Sequence, residues 1–334
     1  MSDLSSGPLA TKDRDLVAGV VAGERRALAK AITLVESSRP DHRERAAAVL
    51  DALLPHTGKS LRIGLTGVPG VGKSTFVEAF GLHLIAHGLK VAVLAVDPSS
   101  SLSGGSILGD KTRMERLTQD TRAFVRPSPS AGALGGVAEK TREALLLCEA
   151  AGYDVVIVET VGVGQSETAV AGMTDVFVLL MLPNAGDDLQ AIKKGIMELA
   201  DVVIFNKADL DATATERAAL QMRAALGLLH PALPHWRPPV LAASALRGEG
   251  IETVWQTLQD FRRTLTESGE LAEKRRRQAL DWMWQLIDAG LRHRFREHPA
   301  VRATLPEVQA AVAGGGTTPT AAAQRLLNLM NRYF

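Results

Sequence analysis

The sequence predicts an α/β fold in which a mostly parallel central sheet is flanked by helices. Three observations lead to this prediction. Continuous apolar runs such as 90–96 (KVAVLAV) and 175–182 (DVFVLLML) are typical of strands that are buried on both faces of a parallel sheet. Segments with helical apolar spacing, such as 251–265, alternate with these runs. A glycine-rich stretch at 67–74 lies between the first apolar run and a helix, which is typical of sheets that bind phosphate at that point.

Residues 61–75 (LRIGLTGVPGVGKST) contain a phosphate-binding loop of the form G-x-x-x-x-G-K-[ST]. Its glycines let backbone N–H groups turn toward phosphate oxygens, and the following helix adds its positive N-terminal end. Lys73 is expected to reach the outer phosphates, and the Ser74 hydroxyl is expected to hold Mg²⁺. The fold is therefore expected to be that of a P-loop NTPase. Its predicted phosphate-binding residues are Gly67, Val68, Pro69, Gly70, Val71, Gly72, Lys73, Ser74 and Thr75.

Acidic residues end two of the predicted strands, where ligands gather in open α/β sheets. Asp97 follows the strand 90–96, where it could bind Mg²⁺, orient a ligand of the metal or cap a turn before Pro98. Glu159 ends the strand 153–159, and its carboxylate is expected to support Mg²⁺ while the Gly162 N–H reaches the γ-phosphate. Gln165 lies two places later than the water-orienting glutamine of Ras-like GTPases, so we do not assign it that role. The predicted catalytic set is Lys73, Asp97, Glu159 and Gly162.

Two longer segments have the composition of mobile loops near a nucleotide. Residues 98–115 are polar and glycine-rich, so they could be a switch segment, with Asp110 on the metal side, or a plain solvated loop. Residues 183–188 (PNAGDD) precede a helix that runs to Leu199, and they could be a third mobile element or an ordinary crossover.

Asn206-Lys207-Ala208-Asp209 follows the strand 202–205 and fits N-K-x-D. The Asp209 carboxylate can accept from guanine N1–H and the exocyclic amine together, whereas adenine offers neither donor in that geometry. The Lys207 stem can lie along the base, and the Asn206 amide can tie this loop to the phosphate loop. A backbone N–H in Ser244-Ala245-Leu246 could meet guanine O6. The motif therefore predicts a guanine nucleotide.

The chain is expected to have three parts. These are an N-terminal helical extension (1–58), a nucleotide domain (59–267) and a C-terminal helical arm (268–334). The arm begins with a long basic helix over 270–297, which could form a dimer or pack back on the nucleotide domain. Its apolar stripe consists of Leu280, Trp284, Ile287 and Leu291.

Composition excludes several classes of protein. The net charge of +1 gives no general attraction to nucleic acid or to anionic membranes. The chain has one cysteine, Cys148, which cannot form an internal disulfide and suits a reducing compartment. No apolar stretch approaches the roughly 18 residues that a membrane helix needs, and the N-terminus has no apolar signal core. We therefore expect a cytoplasmic protein, with a removed organelle-targeting segment as the open alternative.

His83 and His87 lie one turn apart on a predicted helix. This spacing could bind a metal, but such a pair more often lies at a helix end that favours cations. Because the sequence suggests no third ligand nearby, we favour the second interpretation.

The segments GVPGVGKST, VDPSS, SGGSILGDKTRM, ETVGVGQSE and NKAD, in this order, closely resemble those of the MeaB/ArgK GTPases. The resemblance covers nearly the whole chain and implies a P-loop GTPase sheet, an N-terminal helical extension and a homodimerising C-terminal arm. That family has Glu in place of the usual Asp at the position of Glu159. The resemblance implies Mg²⁺ ligation by Ser74, Asp97, Asp110 and Glu159. It also implies a segment called switch III at 183–196, with the candidates Asp187, Asp188, Lys193 and Lys194.

The resemblance further implies hydrolysis of GTP to GDP, slow alone and faster with a partner. The implied partner is an adenosylcobalamin-dependent acyl-CoA mutase that acts on methylmalonyl-, isobutyryl- or 2-hydroxyisobutyryl-CoA. The GTPase would gate loading of intact cofactor and removal of damaged cofactor, and adenosylcobalamin would belong to the mutase. Contact with a cobalamin adenosyltransferase is a further implied possibility.

Three other functions are weighed against this one. A nickel-delivery GTPase for hydrogenase or urease would need a Cys/His-rich segment, but the chain has one Cys and scattered His. An amino-acid transport-associated kinase or ATPase is disfavoured by N-K-x-D. A phosphotransferase is disfavoured because the sequence shows no evident base for a substrate hydroxyl.

Overall fold

In a computed structural model, the chain is described over residues 9–37, 39–97, 114–129, 134–160, 166–183, 194–229 and 233–330. These residues divide into two compact units, one within Met1–Arg276 and the other within Arg277–Phe334. No helix in the described ranges is long and apolar enough to cross a membrane.

The first unit is built on a seven-stranded sheet in which every described pair of neighbouring strands is parallel. The strands are β1 (Leu61–Gly67), β2 (Val91–Asp97), β3 (Ala123–Pro129), β4 (Val155–Thr160), β5 (Val176–Met181), β6 (Val202–Phe205) and β7 (Val240–Ala242). Their spatial order is β3-β2-β4-β1-β5-β6-β7, so β4 lies between β1 and β2. Residues of β1, β4, β5 and β6 are buried along their whole length, which explains their continuous apolar character. The predicted fold class is confirmed.

Eleven α-helices belong wholly or partly to the described part of the first unit. They are α1 (Thr11–Val21), α2 (Arg25–Glu36), α3 (Pro40–Leu53), α4 (Lys73–Ala86), α5 (Glu115–Gln119), α6 (Leu134–Ala150), α7 (Ser166–Ala171), α8 (Lys194–Leu199), α9 (Ala212–Gly227), α10 (Ile251–Glu267) and α11 (Glu270–Glu297). The apolar side chains of α10 that follow the helical spacing noted in the sequence, from Ile251 to Leu265, are buried.

The three N-terminal helices share the hydrophobic core of the sheet, since Val20 of α1, Ile32 of α2 and Val49 of α3 belong to the same buried cluster as the strands. Arg45 of α3 donates two hydrogen bonds to Asp13 of α1, at 2.7 and 3.2 Å, and so joins the two helices. Gly23 adopts a φ of +74° between α1 and α2, which ends the first helix and lets the chain turn into the second.

The second unit contains the rest of α11 together with α12 (Pro299–Ala313) and α13 (Pro319–Met330). The last two helices bury a small apolar cluster of their own, formed by Val301, Val308, Ala322 and Leu326. The predicted stripe on α11 is exposed in the isolated chain, with Trp284 at 61% and Leu291 at 54% exposure. The assignment of 1–58, 59–267 and 268–334 as three functional parts stays a prediction.

Candidate functional site

The phosphate loop lies between β1 and α4, with α4 beginning at Lys73. Gly70 and Gly72 adopt φ values of +81° and +90°, in the left-handed region of backbone conformation that residues other than glycine rarely adopt. A Cβ on Gly67 would lie 2.6 Å from the backbone oxygen of Leu180 on the neighbouring strand β5, so the loop can lie this close to β5 only without a side chain. The glycine positions of the motif are therefore required by backbone geometry.

The Lys73 ammonium lies over the phosphate loop. Its Nζ donates to the carbonyl oxygens of Gly67 at 2.7 Å and Val68 at 3.3 Å, and the residue is 9% exposed. Burial lowers the pKa of Lys73, and the nearby carboxylates of Glu159 and Glu167 oppose this shift. A cation in this position can bind phosphate oxygens that enter the loop.

Glu159 reaches the phosphate loop because β4 is the immediate neighbour of β1, with Glu159 paired to Leu65 in register. Its Oε1 accepts a hydrogen bond from Ser74 Oγ at 3.3 Å, and the residue is 7% exposed. One position later, Thr160 Oγ1 donates to Thr66 Oγ1 at 2.8 Å, which ties the ends of β4 and β1 together. This threonine pair could not be predicted from the sequence because its members are far apart in the chain.

The hydroxyl and carboxylate oxygens of Ser74 and Glu159 are hard donors of the kind that Mg²⁺ prefers. Their separation of 3.3 Å is close to the ~2.9 Å between adjacent oxygens in octahedral coordination at about 2.05 Å. These two residues therefore fit the predicted metal. Asp97 closes β2, directly beside the end of β4 in the sheet. The side chain of Asp97, and all of Asp110, lie outside the described part of the structure.

Asn206 joins the two predicted nucleotide loops. It follows β6, is 1% exposed, and donates from Nδ2 to the carbonyl oxygen of Val71 at 2.8 Å. Its Oδ1 accepts from the backbone N–H of Ala245 at 3.1 Å. Both ends of one amide thus fix the phosphate loop against the loop that follows β7.

Lys207 adopts a φ of +59°, and it is the one residue other than glycine with positive φ among those described. Its Nζ donates to the carbonyl oxygen of Gly70 at 2.9 Å. The side-chain stem therefore runs from the N-K-x-D loop to the phosphate loop, as a residue that covers a bound base would do. A non-glycine residue held in this strained conformation is typical of a functional loop.

Asp209 is held ionised at the end of the same loop. A hydrogen bond from the Ser244 hydroxyl lowers the pKa of Asp209, with a smaller contribution from Arg247, whose Nε lies 3.4 Å from Oδ2. An ionised carboxylate is an acceptor only, as recognition of two guanine donors requires. Arg247 could not be predicted as part of the site, since an arginine three places after a serine does not match any known nucleotide-binding motif.

The loop after β7 is closed by an antiparallel bridge between Ser244 and Glu249. Gly250 then starts the next helix with a φ of +75°, and a Cβ there would lie 2.4 Å from the Ala242 oxygen. Ala245 is buried, whereas the Leu246 side chain is 83% exposed. Leu246 could therefore contact guanine O6 through its backbone N–H, as predicted, but its side chain points to solvent.

Several predicted residues lie outside the described ranges. Gly162, Gln165, Asp187, Asp188 and Lys193 are among them, and the side chain of Lys194 is likewise not described. No role is predicted for Gln165, and the roles of the other residues stay predictions.

The end of β4 and the loops after β1, β6 and β7 meet at the carboxyl edge of one parallel sheet, where ligands bind in open α/β folds. This edge combines a buried cation, backbone N–H groups at a helix N-terminus, two oxygen donors and a carboxylate acceptor. Such an arrangement can bind a nucleoside triphosphate and select guanine.

Comparison with known proteins agrees with this geometry. A family model described as methylmalonyl Co-A mutase-associated GTPase MeaB matches residues 28–300. A GTPase of Caulobacter vibrioides is 56% identical over 308 residues, which are 92% of this chain and 94% of the relative. The mitochondrial methylmalonic aciduria type A homolog of Mus musculus is 48% identical over 323 residues, which are 93% of this chain and 78% of the relative.

A solved structure of an LAO/AO transport system kinase superposes with a TM-score of 0.77 at 39% sequence identity, covering 98% of this chain and 100% of that one. The family match and the relatives extend over most of the sequence and include both nucleotide loops. The chain is a GTPase and belongs to the family of methylmalonyl Co-A mutase-associated GTPases MeaB.

Proposed function

We propose that the protein uses GTP binding and hydrolysis to gate the loading and protection of adenosylcobalamin in an acyl-CoA mutase. The observation that carries the GTP-dependent part is the Asn206 amide. It links the phosphate loop to the loop that follows β7, and both loops contribute to the predicted guanine nucleotide site. The mutase part is supported by the family and by the relative named for methylmalonic aciduria. Methylmalonyl-CoA mutase is the first partner to test, ahead of its isobutyryl- and 2-hydroxyisobutyryl-CoA relatives.

Hydrolysis in this proposal depends on positioning and charge. Lys73 exchanges its bonds to the Gly67 and Val68 carbonyl oxygens for the outer phosphates, and so neutralises charge that develops during attack by water. Ser74 and Glu159 would hold Mg²⁺, which neutralises further charge on the β- and γ-phosphates when bound. Asp209 binds the guanine base and Asn206 fixes the loops around it, so that the phosphates of the nucleotide are positioned against Lys73, Ser74 and Glu159.

The mutase would act on this site through the loops that contact the γ-phosphate. A loop that is ordered only by GTP binds a partner differently in the GTP and GDP states, which is how a nucleotide can bias a partner's conformation. Residues 98–115 and 183–196 are the proposed loops, and Asp110, Asp187, Asp188, Lys193 and Lys194 are their candidate polar groups. We further propose that the chain acts as a homodimer in the cytoplasm, where its single cysteine remains reduced.

The test measures phosphate release from GTP with and without purified methylmalonyl-CoA mutase, together with transfer of adenosylcobalamin to the mutase. We expect the mutase to accelerate GTP turnover and the nucleotide state to change cofactor transfer. The Lys73→Ala variant serves as the control that lacks hydrolysis. If the mutase neither binds the protein nor changes its turnover, the partner assignment is wrong while the GTPase assignment stands.

A second candidate is phosphoryl transfer to another substrate, because the solved structure at 39% identity is described as a transport system kinase. Tracing the label from γ-labelled GTP separates the two candidates. Recovery of the label as free phosphate supports hydrolysis, and recovery on a protein or small molecule supports a kinase.

A further inference from the structure

Three side chains that can bind metal meet at the far end of the phosphate-loop helix. His83 lies in the last turn of α4, His87 follows that helix directly, and Glu252 lies in the first turn of α10. Their ligand atoms all lie within 4.8 Å of one another. The expectation that His83 and His87 have no third ligand nearby is wrong, because folding brings Glu252 to them from a distant part of the sequence.

The distances suit one small cation. The Nε2 atoms of His83 and His87 lie 3.0 and 3.6 Å from Glu252 Oε2. Donors at about 2.0–2.1 Å from a tetrahedral Zn²⁺ ion are about 3.4 Å apart, and the two observed distances lie on either side of that value. Two histidines and a carboxylate with an open fourth position form a known type of zinc site.

Neighbouring groups orient two of the three ligands. The Nδ1–H of His87 can donate to the His83 carbonyl oxygen at 2.9 Å, which leaves the lone pair of Nε2 directed toward Glu252. Gln256 Nε2 donates to Glu252 Oε1 at 2.7 Å, so the other carboxylate oxygen, Oε2, faces the histidines. Support of this kind is typical of metal ligands.

The charges also favour a cation. Burial and the neighbouring His87 lower the pKa of His83, although Glu252 opposes the shift. An imidazole binds a metal in its neutral form, so two imidazoles and one carboxylate would give the occupied site a ligand charge of minus one. His87 and Glu252 are about half exposed, which leaves room for water as a fourth ligand.

We propose that His83, His87 and Glu252 form a binding site for a divalent ion of the Zn²⁺ type, separate from the nucleotide site. His83 is ten residues beyond Lys73 in the same helix, which corresponds to about 15 Å. The ion would join the end of the phosphate-loop helix α4 to α10, the helix that follows the loop after β7. It would therefore stabilise the relative position of the two elements that hold the nucleotide.

The test is an equilibrium Zn²⁺ titration of the full chain, without a polyhistidine tag or nucleotide and with excess Mg²⁺ to occupy other oxygen sites. We expect one Zn²⁺ per chain. His87→Gln and Glu252→Gln should each weaken binding at least about tenfold, since even residues that only support metal ligands contribute about 10–100-fold. His56→Gln, which alters an exposed histidine elsewhere, is the matched control and should bind as the wild type does.

Two results would overturn the site. One is the absence of stoichiometric Zn²⁺ binding by the wild-type chain, which would leave only an ion pair between Glu252 and the histidines. The other is unchanged affinity in both His87→Gln and Glu252→Gln. Thermal unfolding in EDTA checks that the variants fold. If they do not, the visible absorption of Co²⁺ in the wild-type chain decides, because the proposed site requires a spectrum of tetrahedral nitrogen and oxygen ligation.

Discussion

Lys73 illustrates how a single residue is placed by both local sequence and fold. It begins α4, so its backbone belongs to the N-terminal end of a helix, while its side chain returns over the loop to the Gly67 carbonyl oxygen. Replacing Lys73 with Ala should weaken GTP binding about 10–100-fold, since hydrogen bonds to charged groups contribute roughly 1.5–3 kcal/mol. Turnover should fall as well, because the same charge acts during hydrolysis.

Binding of a fluorescent GTP analogue and phosphate release measure this effect. Lys59→Ala removes an exposed lysine before β1 and should leave both measurements unchanged. Normal GTPase activity in Lys73→Ala would contradict the proposed role of the phosphate loop.

Asn206 is the second residue on which the site depends. Asn206→Ala leaves the Val71 carbonyl and the Ala245 N–H without these buried partners, which should cost about 1–3 kcal/mol of unfolding free energy. GTP affinity should fall too, because the phosphate loop and the loop after β7 are then no longer linked through Asn206. Asn328→Ala, on the exposed surface of α13, is the control, and equal denaturation midpoints for the two variants would contradict this account.

At the scale of elements, a buried ion pair anchors α11 to the start of β5. Arg275 donates two hydrogen bonds to the fully buried carboxylate of Asp175, at 2.8 and 2.6 Å, and a third to the Ser60 carbonyl at 2.7 Å. Asp175 also accepts from the backbone N–H of Arg62 at 2.9 Å. Burial lowers the pKa of Arg275, but the hydrogen bonds that it donates to Asp175 outweigh burial and raise the pKa, as expected for a charge held by its partner.

Arg275→Ala should therefore destabilise the chain by about 3–5 kcal/mol, because it leaves a buried carboxylate uncompensated. Arg276→Ala is a neighbouring control. Its partner Glu273 is exposed, and such pairs contribute about 0–1 kcal/mol. Chemical denaturation measures both, and similar losses for the two variants would show that Arg275 has no special anchoring role.

The central strands could be predicted from sequence because burial on both faces requires continuous apolar runs. The edge strand β3 (Ala123–Pro129) was missed, since it contains Pro127 and Pro129, and proline is tolerated only at sheet edges or strand ends. The helix α12 was missed as well. Its sequence contains Pro306, which normally argues against a helix interior.

The phosphate and base motifs could be read from the sequence because each is a short local pattern with a fixed geometric purpose. Contacts made across elements could not. Arg247 beside Asp209, and Glu252 beside the two histidines, are brought together only by the packing of loops and helices. Their residue types carry no local signal for a site.

At the scale of the whole molecule, the exposed apolar side chains of α11 form the surface that we propose for the homodimer contact. Six of them lie within 280–291, in the second unit: Leu280, Met283, Trp284, Leu286, Ile287 and Leu291. Trp284→Glu should convert the proposed homodimer to a monomer, because it places a charge within an apolar interface. Sedimentation velocity measures the change, with Leu220→Glu on α9 as an exposed apolar control. A monomeric wild-type chain, or a dimeric Trp284→Glu variant, would contradict the dimer.

The claim on which the molecule's function depends is that Asp209 selects the guanine base. The direct measurement compares GTP and xanthosine triphosphate binding by the wild-type chain and by Asp209→Asn. Since an amide can donate where the carboxylate only accepts, the variant should lose GTP affinity and prefer xanthosine triphosphate. An unchanged preference for GTP in Asp209→Asn would contradict the assignment of this edge of the sheet as a guanine nucleotide site.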